Sequence, residues 1–277
     1  MSTADDDQRL GAVRLESGRG VLTATLARPE RGNMIDAALL AGLGRALDLA
    51  EADADCRMLV LRGADGVFCS GLDFAAVAAE NGGDGSDTGG GDEASRSWSR
   101  EFYRLLERLT RTPRVVVAVV DGQALGGGVG LVAASDLVLA TERSTFGLPE
   151  ALWGLLPCVV LPFLLRRVGF QNAYAMALTT QSIDARQAHR IALVDELAPA
   201  ARAPLARLAF RMARVDVATI GAMKDYFGRL APLPPDAEAV AVGEFARLLG
   251  GPVVRRRIAD FAAEQRFPWQ RQQTPPR

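Results

Sequence analysis

Val115-Val116-Val117-Ala118-Val119-Val120-Asp121-Gly122-Gln123-Ala124-Leu125-Gly126-Gly127-Gly128-Val129-Gly130 is the stretch on which the reading of the fold turns. Its unbroken apolar run, Val115–Val120, reads as a buried strand of the kind found in parallel sheets. Two meanings compete for the glycines behind it. Gly128-Val129-Gly130-Leu131-Val132-Ala133 fits the dinucleotide pattern G-x-G-x-x-A, with Glu150 about 20 residues on. In that arrangement, however, the first glycine follows its strand almost directly. Here Gly128 stands eight residues beyond Val120, and the next strand, Asp136–Ala140, starts too soon for a full crossover helix. A phosphate loop fails because the chain contains no Gly-Lys-Ser/Thr. The second meaning fits better. Glycines at a helix start let a carbonyl oxygen approach bare backbone N–H groups at the positive end of the helix dipole, and such donors stabilise an enolate or tetrahedral oxyanion. A second N–H is needed from elsewhere, and Phe68-Cys69-Ser70-Gly71-Leu72-Asp73 offers one.

Outward from this stretch, strands and helices alternate as in α/β folds with parallel sheets. Val13–Glu16 and Val21–Leu26 read as a hairpin around Ser17-Gly18-Arg19-Gly20. Asp36 is placed to cap a helix over Ala37–Ala52, and Arg57–Leu61 reads as a short strand ending in a turn at Arg62–Gly66. Gly82–Ser95 holds six glycines and no large apolar residue, so it is expected to be a mobile surface flap before a helix at Ser97–Leu109. From Pro162 onward the periodicity is helical: Phe163–Val168, Gln171–Leu178, Arg202–Arg214, Thr219–Leu230, Ala237–Leu249 and Val253–Gln265, with a break at Pro232–Pro235. The division expected is a core at 1–200, carrying the loop 82–95, and a helical C-terminal region at 201–277.

Composition excludes several classes. The 277 residues carry 32 basic and 33 acidic side chains, a net charge of −1, which leaves no electrostatic footprint for nucleic acid or an anionic membrane. The apolar runs fall far short of the ~18 residues of a membrane span. Met1–Asp7 is acidic and lacks the apolar core of a signal peptide, so the expected location is the cytoplasm. One histidine, His189, and three scattered cysteines, Cys56, Cys69 and Cys158, argue against a metal centre and fit reduced thiols. With no activated cysteine or serine pattern, a nucleophilic thioesterase or dehalogenase is disfavoured. Lys224 is the sole lysine.

Arg28-Pro29-Glu30-Arg31-Gly32-Asn33, Phe68-Cys69-Ser70-Gly71-Leu72-Asp73, Gly122-Gln123-Ala124-Leu125-Gly126-Gly127-Gly128, Ala134-Ser135-Asp136-Leu137 and Phe146-Gly147-Leu148-Pro149-Glu150 occur in one order. That ordered set resembles the enoyl-CoA hydratase/isomerase (crotonase) family across residues 13–230. Ala192-Leu193-Val194-Asp195-Glu196 is similar to its later Gly-Leu-Val-Asp motif. The resemblance implies an α/β fold in which ββα units wind into a superhelix, with a C-terminal helical region that makes a homotrimer or a dimer of trimers. It implies no cofactor beyond the substrate's own carrier. The substrate is an acyl thioester on the phosphopantetheine of an acyl carrier protein (ACP) or on CoA. Matched position by position, the oxyanion N–H groups fall on Leu72 and Gly127. Gly71, Gly126, Gly128, Gly130 and Trp153 are assigned to the acyl pocket, and Lys224 to the pantetheine or nucleotide phosphates.

Hydratases of the family commonly carry two glutamates. This chain keeps one, Glu150; the other position is Gly130. The apolar flanks of Glu150 (Phe146, Leu148, Leu152, Trp153) disfavour its charged form and raise its pKa toward a useful general acid/base value. One carboxylate suffices for loss of water from a β-hydroxyacyl thioester when proton and hydroxyl leave on the same face. At Gly130 the missing side chain is expected to leave room for a branched β-carbon. The run Glu150–Gln171, with Pro157-Cys158-Val159-Val160-Leu161-Pro162 where the family has a glycine-rich segment, and the terminal Phe267-Pro268-Trp269 are similar to the dehydratases of polyketide β-branching cassettes. The activity this implies is dehydration of 3-hydroxy-3-methylglutaryl-ACP to 3-methylglutaconyl-ACP. Alternatives are a crotonase-type decarboxylase or isomerase, a general enoyl-CoA hydratase, and a catalytically silent scaffold homologue. Arg28, Arg31, Arg166 and Arg167 are lesser candidates for carrier anions. Tyr103, Tyr174 and Tyr226 read as core or rim, and His189 as structural.

Overall fold

The computed structural model describes residues 8–73 and 90–264, together with Pro268. Its first strands are β1 (Gln8–Leu10), β2 (Val13–Gly18) and β3 (Val21–Leu26), all antiparallel. Gly18 pairs with Val21 across Arg19 and Gly20, both at positive φ (52° and 75°), the twist that suits a two-residue hairpin. Asp36 then caps α1 (Ala37–Ala52), accepting from Leu39 N at 2.9 Å.

Three ββα units follow. β4 (Met58–Gly63), β6 (Val115–Val120) and β8 (Leu137–Ala140) lie parallel in a seven-stranded sheet of order β1-β2-β3-β4-β6-β8-β11, closed by β11 (Glu196–Leu197). Each of the three leads through a tight corner to a three-residue strand of a second sheet: β5 (Val67–Cys69), β7 (Gln123–Leu125) and β9 (Thr145–Gly147). That sheet runs β10-β9-β7-β5, with β10 (Ile183–Asp184) antiparallel to β9. At the β6–β7 corner a Cβ on Gly122 (φ +117°) would drive into the Gly66 carbonyl, so adjacent turns of the superhelix touch backbone to backbone. After the second strand of each unit comes a helix: α2 (Gly90–Arg111), α3 (Gly127–Ala134) and α4 (Glu150–Trp153).

The valine run of β6 is explained by burial on both faces. Leu59, Leu61, Val116, Ala118 and Val120 join the main core, while Met58, Val60, Val117, Val119 and Leu139 face a second cluster. That second cluster is covered by Leu205, Leu208 and Met212 of α8 (Arg202–Met212). Between these lie α5 (Leu161–Val168), α6 (Phe170–Thr179) and α7 (Ala185–Arg190), and after them α9 (Val217–Leu230), α10 (Ala237–Leu249) and α11 (Pro252–Glu264). Asp216 caps α9 through Thr219 N at 2.8 Å, and α10 lies along α2. Among the described residues no helix is long and apolar enough to cross a membrane.

The structure corrects the extent of the expected flap. Residues 90–95 belong to α2, and the remaining part of the Gly82–Ser95 stretch lies outside the described residues, as do Phe267 and Trp269. Helix propagation is easier than nucleation, so the apolar face at Phe102, Leu105, Leu106 and Leu109 extends the helix into a glycine-rich sequence.

Candidate active site

Two chain segments meet beneath a cavity of about 640 Å³. Gly71 (φ +91°) turns the chain out of β5, and Gly126 (φ +50°) turns it from β7 into α3. Their approach excludes side chains: a Cβ on Gly71 would lie 3.6 Å from Gly127 N, and one on Gly126 would lie 3.7 Å from Gly71 Cα. Leu72 forms a parallel bridge with Ile35, made by Ile35 N to Gly71 O (2.8 Å) and Asp73 N to Ile35 O (3.2 Å). A bridge of this kind uses the groups flanking Leu72 and leaves its own N–H outside the ladder. Gly127 N, at the first position of α3, has no intrahelical acceptor. Both residues line the cavity, and the two segments meet backbone to backbone at the N-terminus of α3.

Glu150 comes to the same place from α4. A Cβ on Gly126 would lie 3.0 Å from Glu150 Oε1, so the carboxylate sits over the glycine that precedes the Gly127 amide. Its Oε2 is sealed from solvent and has no hydrogen-bond partner. Desolvation raises the carboxyl to about pKa 7, as its apolar flanks imply, and only a backbone hydrogen bond opposes the shift. A buried polar atom without a partner costs free energy and calls for an explanation.

Most of the remaining cavity wall is apolar, with Ser70, Asp73, Gln123, Thr180 and Ser182 as its other polar residues. Trp98 and Phe102 of α2 (ring centroids 5.6 Å apart) meet Phe245 of α10, which stands 5.7 Å from Trp98. Trp153 of α4 meets Phe261 of α11 edge to face at 5.2 Å. Leu155–Val160 complete this side. None of Trp98, Phe102, Phe245 and Phe261 was legible as a site residue in the sequence, since aromatic residues at helical spacing read equally well as core.

Gly71, Leu72, Gly126, Gly127, Glu150 and Trp153 all line the cavity. Gly128 and Gly130 do not. Gly128 lets α3 rest on β5, where its Cβ would lie 2.9 Å from Cys69 Cβ. Beside Gly130 the expected free space is already occupied: a Cβ there would meet Val160 Cγ2 at 3.0 Å, Leu106 Cδ1 at 3.3 Å and Phe102 Cζ at 3.4 Å. The glycine admits neighbouring side chains, two of which then form the wall. Lys224 is also placed elsewhere. Its ammonium donates to Asp136 Oδ2 (2.7 Å), Arg114 O (3.0 Å) and Leu109 O (3.1 Å), which tie α9 to the end of α2 and the β6–β8 ladder.

Three of the arginine candidates are engaged internally. Arg28 forks onto both oxygens of Asp36 (2.7 Å each), Arg31 donates to Asp73 (2.7 Å), and Arg167 pairs with Asp195 while donating to Ser135 O and Leu193 O (2.9 Å each). Arg166 is exposed. His189 Nδ1 lies 2.9 Å from Val194 O, a loop-holding contact. Tyr103 is core against Phe163, while Tyr174 and Tyr226 are exposed. Burial pushes the Cys69 and Cys158 thiols up to about 12, so neither is an activated nucleophile. Among the described residues no group of three metal-ligating side chains gathers.

A family model described as enoyl-CoA hydratase/isomerase matches residues 16–226. The chain is 29% identical over 260 residues to the bacillaene synthase dehydratase PksH of Bacillus subtilis, covering 94% of this chain and 97% of that one. It is 33% identical over 177 residues to the 1,2-epoxyphenylacetyl-CoA isomerase of Escherichia coli, 64% and 65% of the two chains. The crystal structure of Bacillus subtilis PksH superposes with a TM-score of 0.83 at 28% identity, covering 92% and 98%.

Proposed function

This chain belongs to the enoyl-CoA hydratase/isomerase family, and on that premise we propose that it is a carbon–oxygen lyase that dehydrates a β-hydroxyacyl thioester, 3-hydroxy-3-methylglutaryl-ACP in polyketide β-branching. The observation that carries this reading is the lone carboxylate. Glu150 faces the cavity with an unpartnered Oε2, and the position where many relatives hold a second glutamate is Gly130, packed against Val160. Similarity over nearly its whole length to a dehydratase of bacillaene synthesis supports the same choice.

The proposed steps use these groups in turn. The thioester oxygen accepts hydrogen bonds from Leu72 N–H and Gly127 N–H, which strengthen as negative charge develops on it. That places the α-carbon beneath Glu150, whose ionised carboxylate takes the α-proton and leaves an enolate held by the two amides. The enolate re-forms the thioester carbonyl and expels the β-hydroxyl. Glu150 returns its proton to the departing oxygen, so water leaves, the α,β double bond remains and the carboxylate is regenerated. One carboxylate serves both transfers only if proton and hydroxyl depart from the same face. Desolvation suits both roles, because a pKa of about 7 leaves base and acid forms both accessible near neutrality.

The proposed assembly is a homotrimer or a pair of trimers. Its support is the set of exposed apolar side chains on α6 and α9: Phe170, Tyr174, Leu178, Met223, Tyr226 and Phe227. Light scattering on the purified chain measures this directly, and a monomer at micromolar concentration refutes it.

Mass spectrometry of carrier protein loaded with 3-hydroxy-3-methylglutaryl tests the reaction. Loss of one water in the presence of enzyme is the expected result. Loss of carbon dioxide alone assigns a decarboxylase, and an unchanged mass assigns a silent homologue.

A further inference from the structure

We propose that Val160, together with Phe102, forms the surface that receives the alkyl branch on the β-carbon, and that Val160 sets how large that branch can be. The inference rests on the dehydratase reading for the position of the β-carbon.

Three glycines at the start of α3 record what surrounds that end of the cavity. A Cβ on Gly126 would lie 3.0 Å from Glu150 Oε1. One on Gly127 would lie 3.3 Å from both Cε1 and Cζ of Phe102. One on Gly130 would meet Val160 Cγ2 at 3.0 Å and Phe102 Cζ at 3.4 Å. A single ring therefore spans Gly127 and Gly130, one helical turn apart, with the valine beside it. Val160 and Phe102 line the cavity and Gly130 does not, so these side chains stand between the helix and the open volume. The backbone of Val160 is tied on both sides at the start of α5: its N–H donates to Pro157 O, and its carbonyl oxygen accepts from Leu164 N, each at 3.0 Å.

These two flanks treat the substituents of a tertiary β-carbon differently. With the thioester oxygen on the Leu72 and Gly127 amides and the α-carbon beneath Glu150, the β-carbon is one bond further on, beside the first turn of α3. Its hydroxyl finds the unpartnered Glu150 Oε2. The flank made by Phe102 and Val160 offers no hydrogen bond, so a hydroxyl or carboxylate turned toward it loses water without compensation. An alkyl branch gains by the same burial. Leu106 Cδ1 stands 3.3 Å from the Cβ position of Gly130, so the space behind the valine is filled. The depth left for a branch is then set by the size of the residue at 160.

Calorimetry with three thioesters that lack the β-hydroxyl, glutaryl-CoA, 3-methylglutaryl-CoA and 3-ethylglutaryl-CoA, tests this. They differ only in the branch. The wild type is expected to bind the methyl compound about 5- to 10-fold more tightly than either of the others, the worth of one methylene in an apolar pocket. Val160→Ala should move the preference to the ethyl compound, and Val160→Ile should move it to unbranched glutaryl-CoA. A purely structural role for Val160 gives no such opposite shifts, because lost packing weakens all three ligands together. Parallel changes in all three would overturn the proposal. So would a wild type that binds them equally. A wild type that prefers the methyl branch yet leaves 3-hydroxy-3-methylglutaryl thioesters intact would sink the reaction assignment alone.

Discussion

Asp136 and Glu150 are two half-buried carboxylates treated in opposite ways. Asp136 Oδ2 accepts from Val116 N (2.8 Å) and from Lys224 Nζ (2.7 Å), so the desolvation that pushes its carboxyl up is opposed by an ammonium and a backbone donor. Glu150 has no such help: no cation opposes its desolvation, and Oε2 meets no donor. The first arrangement locks α9 onto the sheet. The second leaves a carboxylate oxygen unsatisfied at the cavity. Satisfaction of the charge, rather than burial itself, separates the structural acid from the one proposed for catalysis.

Glu150→Gln tests that contrast most severely. Turnover is expected to fall about 100-fold or more, as removal of a general acid/base does. Stability should move the other way. The folded-state pKa of about 7 lies above the free value of 4.5, so the native state binds the proton more tightly and stability falls as pH rises between those values. The cost, at most about 3 kcal/mol from that shift, is fully present above pH 8. Thermal melts should therefore show the variant more stable than wild type at pH 8, with the gap closing at pH 5. Wild-type kcat/KM should rise with pH through about 7, as the base form appears. A variant that is less stable at pH 8 would contradict the buried, unpaired charge.

Lys224→Met breaks the satisfied pair. It leaves the Asp136 carboxylate without its cation and should cost about 3 kcal/mol, the low end for a buried pair because the Asp136 side chain keeps 27% exposure. Denaturant melts should show much of that loss recovered in the double variant Lys224→Met/Asp136→Asn. Unaltered thioester binding in Lys224→Met would confirm that the ammonium serves the fold, whereas a selective loss of CoA affinity would restore the phosphate-binding role.

Gly130→Glu puts a carboxylate where a Cβ already meets neighbouring side chains. Because Val160, Leu106 and Phe102 already fill that space, the change should destabilise by about 1–3 kcal/mol through overpacking and slow dehydration of the branched substrate. Faster dehydration would show that Val160 yields easily and that the glycine carries no adaptation. The smallest effect is expected at Ala192, held at φ +61° where the family motif has glycine. Ala192→Gly should stabilise by about 0.5–1 kcal/mol if relief of strain exceeds the added entropy of the unfolded chain. A lower melting temperature would say it does not.

Much of the site was legible because chemistry constrains sequence there. Gly71 and Gly126 need positive φ and bare backbone, and Glu150 follows a turn motif with apolar flanks, so their identities survive in the text of the chain. The second sheet was not legible. Strands of three residues, such as Gln123–Leu125 and Thr145–Gly147, are too short for any period to register, and they form only because the larger sheet places their partners alongside. Gly130 misled for a related reason: a missing side chain reads as space, but whether space remains depends on Val160, thirty residues later.

The sequence by itself determined the buried parallel strand, the glycine-bounded helix start and the carboxylate with apolar flanks that follows β9, since each is a local consequence of residue type. Only the tertiary structure decided which charges are satisfied. Lys224 stands on a C-terminal helix, yet it meets Asp136 and two carbonyl oxygens of the first half of the chain. The Lys224–Asp136 pairing, across 88 residues, is set by how helices dock on the sheet, and no local pattern carries it.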